Sequence, residues 1–225
     1  MLAEVRPDHV AFAQRGPRTF AGVLSPSTNL VVWRRRLSAE VRAAAEKLAE
    51  SDAVVALDRE TKVDRVADDL VAGIPGGTWL APLAADVRDL LARFAAIEPA
   101  DHYRLRFERV RDDSCRLFHT DFVRLRLICT YHGPGTDWLA DRDVVRSALG
   151  SPGASVDEIN ARIIRPGAAP HRLATGWVGV MRGEAWPANG VPCAPALVHR
   201  SAPIAGTGLT RIRLSLEACR GHRGS

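Results

Sequence analysis

Three residues of this chain have the types and spacing to hold a metal ion. His119 and Asp121 stand two apart in "FHTDFVRLRLICTYHGPGTDW" (Phe118 to Trp138), at the head of a strand-like run. Residues i and i+2 of a strand point to the same side, so an imidazole and a carboxylate can meet at one point in space. His199, in "ALVHRS" on another strand-like run, supplies a second imidazole. Two histidines and one carboxylate on one face of a metal leave the other positions open to substrate and oxygen, a donor set that suits non-haem Fe(II). With seven histidines and 26 acidic residues, about 0.8 His-x-acid matches arise by chance in such a chain. The weight therefore rests on strand context and on the order His-x-Asp, then His, then Arg.

The arginine comes from "LTRIRLSLE", which places Arg211, Arg213 and Ser215 on one side of a strand, Arg211 twelve residues after His199. Iron alone activates oxygen poorly. A 2-oxoacid such as 2-oxoglutarate chelates it and supplies two electrons on decarboxylation, and its far carboxylate needs a buried cation that binds in bidentate fashion. Arg211 and Arg213 are both candidates. A competing arrangement uses Cys115, His119, Cys129 and His132 as a four-ligand structural zinc site, which would leave Asp121 out. In a non-catalytic alternative, this set or the His-Asp-His triad holds zinc for sensing, storage or structure. Tyr131, Trp138, Trp177 and Trp186 are candidate pocket-lining residues, whereas His132 and His171 read as turn or surface residues and Cys193 as an inert thiol without a base. The chain has no G-x-S-x-G, no G-x-x-x-x-G-K-[ST] and no H-E-x-x-H, so acyl hydrolase, P-loop and metalloprotease readings have no anchor.

The elements that must position these residues change character along the chain. After about 25 polar, Pro-containing residues, "NLVVWRRRL" reads as a short strand or an extended entry, and Ser38 is an N-cap candidate for a helix through Glu50 with Leu37, Val41, Ala44 and Leu48 on one face. "AVVAL" (Ala53 to Leu57) reads as a strand, and Val63, Val66 and Leu70 mark a second helix that Gly73 ends. Leu83, Val87, Leu90, Phe94 and Ile97 define a third helix before Pro99, with an apolar stripe that needs a sheet to cover. From Asp101 the period becomes two: Tyr103, Leu105 and Phe107 alternate with charged residues, as do Val123, Leu125, Leu127 and Cys129 further on. "YHGPGTDW" is a turn, Ser151 to Pro170 a loop with one short helical piece, and "TGWVGVMRGEAW", "ALVHRS" and "LTRIRLSLE" are further strands. Helices first and strands later imply an α+β protein whose helices back a β-sandwich or distorted barrel.

Composition sets the outer bounds. The chain has 225 residues and 46% hydrophobic content, enough for a substantial core. Its net charge of +5 is carried by arginine, since Lys47 and Lys62 are the only lysines among 31 basic residues. Apart from Arg34-Arg35-Arg36 these are interleaved with acids, and no aromatic-studded basic stripe appears, which argues against nucleic acid as a partner. Four widely spaced cysteines with no CxxC, an N-terminus without an export signal's apolar core, and no run of about 18 apolar residues lead us to expect a cytoplasmic protein outside the membrane.

The stretches "CRLFHTDFVRLRLICTYHGPGTDWL", "LATGWVGVMRGEAWP" and "HRSAPIAGTGLTRIRLSLE" together resemble the bacterial family called domain of unknown function 1826, over roughly Leu30 to Glu217. That resemblance carries no activity. Members are often encoded near zinc-homeostasis genes, which implies metal homeostasis as the setting of the zinc alternative. More distantly, the order of elements is similar to the double-stranded β-helix of Fe(II)/2-oxoglutarate dioxygenases. This likeness implies a jelly-roll, cupin-like core at residues 101–218, a helical N-terminal part at 1–100 packed on it in one globule, and a tail at 219–225. It implies His119, Asp121 and His199 as metal ligands and Arg211 as the co-substrate arginine, with Arg213 standing where a serine is common and Gly176-Trp177 where an acidic residue often follows glycine. Fe(II) and 2-oxoglutarate, or alternatively zinc, are the implied cofactors. The substrate, a small molecule or a peptide, and the oligomeric state are not legible.

Overall fold

A computed structural model describes residues 9–12, 20–75, 77–112, 115–153, 155–187, 190 and 192–219 of the chain. Ten strands are present among them: β1 (Val10–Phe12), β2 (Leu30–Trp33), β3 (Ala56–Thr61), β4 (His102–Val110), β5 (Leu125–His132), β6 (Asp137–Trp138), β7 (His171–Arg172), β8 (Val178–Arg182), β9 (His199–Arg200) and β10 (Arg211–Cys219). Four α-helices accompany them: α1 (Ala39–Glu50), α2 (Val66–Gly73), α3 (Ala81–Ala95) and α4 (Val156–Ile163). Seven strands form one large sheet in the order β1-β2-β8-β5-β10-β4-β3, antiparallel except for the β1/β2 pair, and the two-residue strands make a small sheet β7-β6-β9. The result is a mixed fold built on a large, mostly antiparallel sheet.

Alternation along the strands decides what each face of that sheet does. Tyr103, Leu105 and Phe107 of β4, Leu125, Leu127 and Cys129 of β5, and Ile212, Leu214 and Leu216 of β10 point into the main core. Helices α1, α2 and α3 cover this face with Val41, Leu48, Leu70, Leu83, Val87 and Phe94. Ser38 caps α1, its hydroxyl accepting from the Val41 amide at 3.2 Å. Arg106, Arg126, Ile128, Arg213 and Ser215 look the other way. There Leu30, Val32, Ile128 and Met181 meet Leu173 and Leu197 from the segments that flank the small sheet. The site lies on this second face.

The boundaries differ from the sequence reading in instructive ways. The predicted 53–57 strand is displaced to Ala56–Thr61, because β3 is an edge strand that carries Asp58, Arg59 and Glu60, and such charge hides it from a hydrophobic pattern. Val123 falls outside β5, which begins at Leu125. The N-terminal stretch read as merely polar contains β1, and a 3-10 turn at Ala21–Leu24 buries Phe20 and Val23 completely. Strands β1, β2 and β3 join the same sheet as β4, β5, β8 and β10, so the sheet crosses residue 100. Cys219 is the last residue of β10; the rest of the tail expected at 219–225 lies outside the described residues.

Candidate metal centre

His119 and His199 are brought together by backbone pairing. Each donates its amide to the other's carbonyl oxygen at 3.0 Å in an isolated antiparallel bridge, and their rings lie 4.6 Å apart. His119 is therefore held by that bridge and not by a regular strand. Asp121 lies in the loop between this bridge and β5, and its backbone is clamped by the chain leaving β8: the amide of Glu184 donates to the Asp121 carbonyl at 2.8 Å. Gly183 permits that approach. A Cβ at position 183 would overlap the carbonyl oxygens of Asp121 and Val123.

The side chains converge as metal ligands would. One donor atom each from His119, Asp121 and His199 lie within 4.8 Å of one another, and this is the one such group of three among the described residues. His119 Nδ1 is 2.8 Å from the Leu117 carbonyl oxygen, and His199 Nδ1 is 3.2 Å from that of Leu197. A carbonyl only accepts, so Nδ1 carries a hydrogen in both rings and Nε2 is the ring atom turned toward the carboxylate. His119 Nε2 lies 3.5 Å from Asp121 Oδ1 and His199 Nε2 lies 3.2 Å from Oδ2. Burial pushes the Asp121 carboxyl up, but hydrogen bonds from both histidines and the nearby charges of His199 and Arg126 outweigh it and hold the group well below the usual carboxylate range. The hydrogen bond to Asp121 raises the pKa of His119 against its partial burial.

A cavity of about 250 Å³ opens beside the triad, lined among others by Cys115, Thr136, Met181, Arg200, Arg213 and Ser215. Most of its charges are spent inside the protein. Arg213 pairs with Glu108, Arg126 with Asp121 and Glu217, and Arg200 with Asp137 at 3.3 Å. Arg211 differs. It is fully buried on the same face of β10 as Arg213 and Ser215, and none of its three guanidinium nitrogens has a hydrogen-bond partner among the described residues. Burial and the neighbouring charge of Arg213 pull its pKa down to about 10, so it remains cationic at neutral pH. An unpaired buried cation is costly, and a carboxylate fits what it lacks.

Several expected participants lie elsewhere. Tyr131 shares the core face of β5 and donates its hydroxyl to Asp86 Oδ2 at 2.6 Å, beneath the helices and on the far side of the sheet from the triad. Trp138 stacks on His171 at 4.4 Å and lines a different cavity with Trp177 and Phe12, while Trp186 packs against the main core. The Cys115/His119/Cys129/His132 zinc set is not assembled: Cys115 lines the triad's cavity, whereas Cys129 is sealed in the main core against Arg35. Residues the sequence reading missed include Arg126 and Glu217, whose partnership depends on the pairing of β5 with β10. Asn160 of α4 is another. Its side chain accepts from the Phe118 amide and donates to the Arg116 carbonyl, tying down the segment that leads into His119.

The fold is similar to that of solved dioxygenases. The dioxygenase for auxin oxidation from rice superposes with a TM-score of 0.53 at 11% identity, over 96% of this chain and 87% of that one. The dioxygenase for auxin oxidation 1 from Arabidopsis thaliana, solved as its binary complex with 2-oxoglutarate, gives 0.52 at 8% identity over 96% and 94%. No curated protein matches the chain. The family model described as "Protein of unknown function (DUF1826)" matches residues 14–217, and the chain belongs to that family.

Proposed function

We propose that this protein is an Fe(II)- and 2-oxoglutarate-dependent oxygenase, with its two sheets forming a distorted double-stranded β-helix. The observation that carries this reading is the convergence of His119, Asp121 and His199 at a cavity, with an orphaned buried arginine, Arg211, on the same sheet face. The likeness of the fold to a dioxygenase crystallised with 2-oxoglutarate supports it. In this reading His119, Asp121 and His199 hold the iron. Arg211 receives the far carboxylate of 2-oxoglutarate, because Arg213 is already committed to Glu108 and Ser201. When bound, iron supplies oxygen activation, driven by two electrons from oxidative decarboxylation of the 2-oxoacid. The chain's own part is to fix both Nε2 lone pairs through the Leu117 and Leu197 carbonyls, to orient the co-substrate through Arg211, and to leave room for a small-molecule or peptide substrate.

The test is anaerobic titration of the apoprotein with Fe(II), with and without 2-oxoglutarate, following the weak visible charge-transfer band of chelated iron. The band is expected to need both additions and to vanish in His199→Ala. Its absence, together with stoichiometric zinc that survives dialysis, would replace this reading with that of a non-catalytic zinc protein.

A further inference from the structure

Asp121 has two carboxylate oxygens, and the protein treats them differently. Oδ2 accepts a charge-assisted hydrogen bond from Arg126 Nη1 at 2.6 Å, besides facing His199. Among the described residues Oδ1 faces only His119, at 3.5 Å. Arg126 is itself steered: its Nε and Nη2 both donate to Glu217 Oε2, and Glu217 sits directly across from it in the β5/β10 register. The chain of charges continues outward, with Arg106 3.5 Å from Glu217 Oε1 and 3.3 Å from Asp58 Oδ2 on the edge strand. The side chains of Asp121, Arg126 and Glu217 are 13%, 17% and 14% exposed, so solvent screens the inner links weakly.

Resting on the metal site proposed above, we infer that Arg126, aimed by Glu217, is a positioning residue that reserves Oδ2 of Asp121 and leaves Oδ1 alone to the metal. A carboxylate free at both oxygens chelates and takes up an extra coordination position. A three-ligand oxygenase site needs its remaining positions for the 2-oxoacid and for oxygen. A strong hydrogen bond to one oxygen favours one-point attachment. Glu217 touches no ligand, yet it sets the direction of the guanidinium that does.

The experiment loads the wild-type chain, Arg126→Met, Arg126→Lys and Glu217→Gln with Mn(II). It measures metal affinity, the number of metal-bound waters by water-proton relaxation, and 2-oxoglutarate affinity. Arg126→Met is expected to bind Mn(II) at least as tightly as the wild type, since a competing cation is gone, but with one fewer exchangeable water and about tenfold weaker 2-oxoglutarate binding. Glu217→Gln should move the same way by less, and Arg126→Lys should restore the water. A purely structural role would weaken the metal and leave the water count of the bound fraction unchanged; that result, or variants identical to the wild type, overturns the inference. Should Arg126→Met fail to fold, Glu217→Gln decides alone: an unchanged water count overturns the inference and a lost water supports it. A wild-type chain that binds no Mn(II) sinks the metal site and this inference together. One that binds Mn(II) with its waters but ignores 2-oxoglutarate sinks only the choice of co-substrate.

Discussion

At the scale of single residues, Arg211 joins stability to the proposed binding of 2-oxoglutarate. Its guanidinium is buried without a partner among the described residues, so in the absence of an anion it works against the fold. Arg211→Met is therefore expected to stabilise the apoprotein by about 1–3 kcal/mol, roughly 2–4 °C in melting temperature for each kcal/mol. The same variant should lose the thermal shift that 2-oxoglutarate gives the wild type. Melting curves of both proteins with and without 2-oxoglutarate check it, and a destabilised apo variant would mean that Arg211 is satisfied in the fold. The identity of the triad was legible because His119, Asp121 and His199 announce themselves by type and order. The exclusion of Tyr131 was legible in principle too, since counting by two from Leu125 places it with Leu127 and Cys129 on the core face. Trp138 was not, because its place depends on stacking with His171, 33 residues away and on another strand.

At the scale of elements, the site depends on what passes beside it. The chain leaving β8 crosses against the Asp121 loop at Gly183, with the amides of Gly183, Glu184 and Ala185 donating to the carbonyls of Arg124, Asp121 and Val123. Gly183→Ala forces these backbones apart, which is expected to cost about 1–3 kcal/mol in stability. The displaced Asp121 should weaken metal binding by about 10–100-fold. Denaturant unfolding and metal titration measure the two effects, and metal affinity equal to the wild type would show that the loop holds Asp121 without this contact. Helices α1 and α3 and strands β4, β5 and β10 were readable because their apolar periods are long and clean. Strands β6, β7 and β9, two residues each, carry no period at all and are defined by pairing, with one another and, for β9, with His119. The register that sets Glu217 across from Arg126 is likewise a property of two strands and of neither sequence alone.

At the scale of the whole molecule, the large sheet separates the cavity beside the triad on one face from a buried polar cluster on the other, and that cluster ties the helical layer to the strands. Arg35 forks onto Asp86 of α3 at 2.6 and 2.8 Å and donates to the Gly176 carbonyl at 3.0 Å. Tyr131 and Cys129 of β5 complete it, the thiol lying 3.7 Å from Arg35 Nη2. Burial pushes the Cys129 thiol from 9.0 up to about 11, against the opposing pull of Arg35, and burial raises Tyr131 as well. The fold thus prefers the neutral thiol. The stability this gives is fully present below the unfolded value near 9 and is lost as pH rises toward 11. At about pH 10.5 the loss from this thiol alone amounts to about 2 kcal/mol. Cys129→Ala removes the thiol but leaves Tyr131, so its unfolding free energy should fall less steeply than that of the wild type between about pH 8 and 10.5. Parallel curves for the two proteins would mean that the thiol reaches solvent, and that the helices do not seal this face of the sheet.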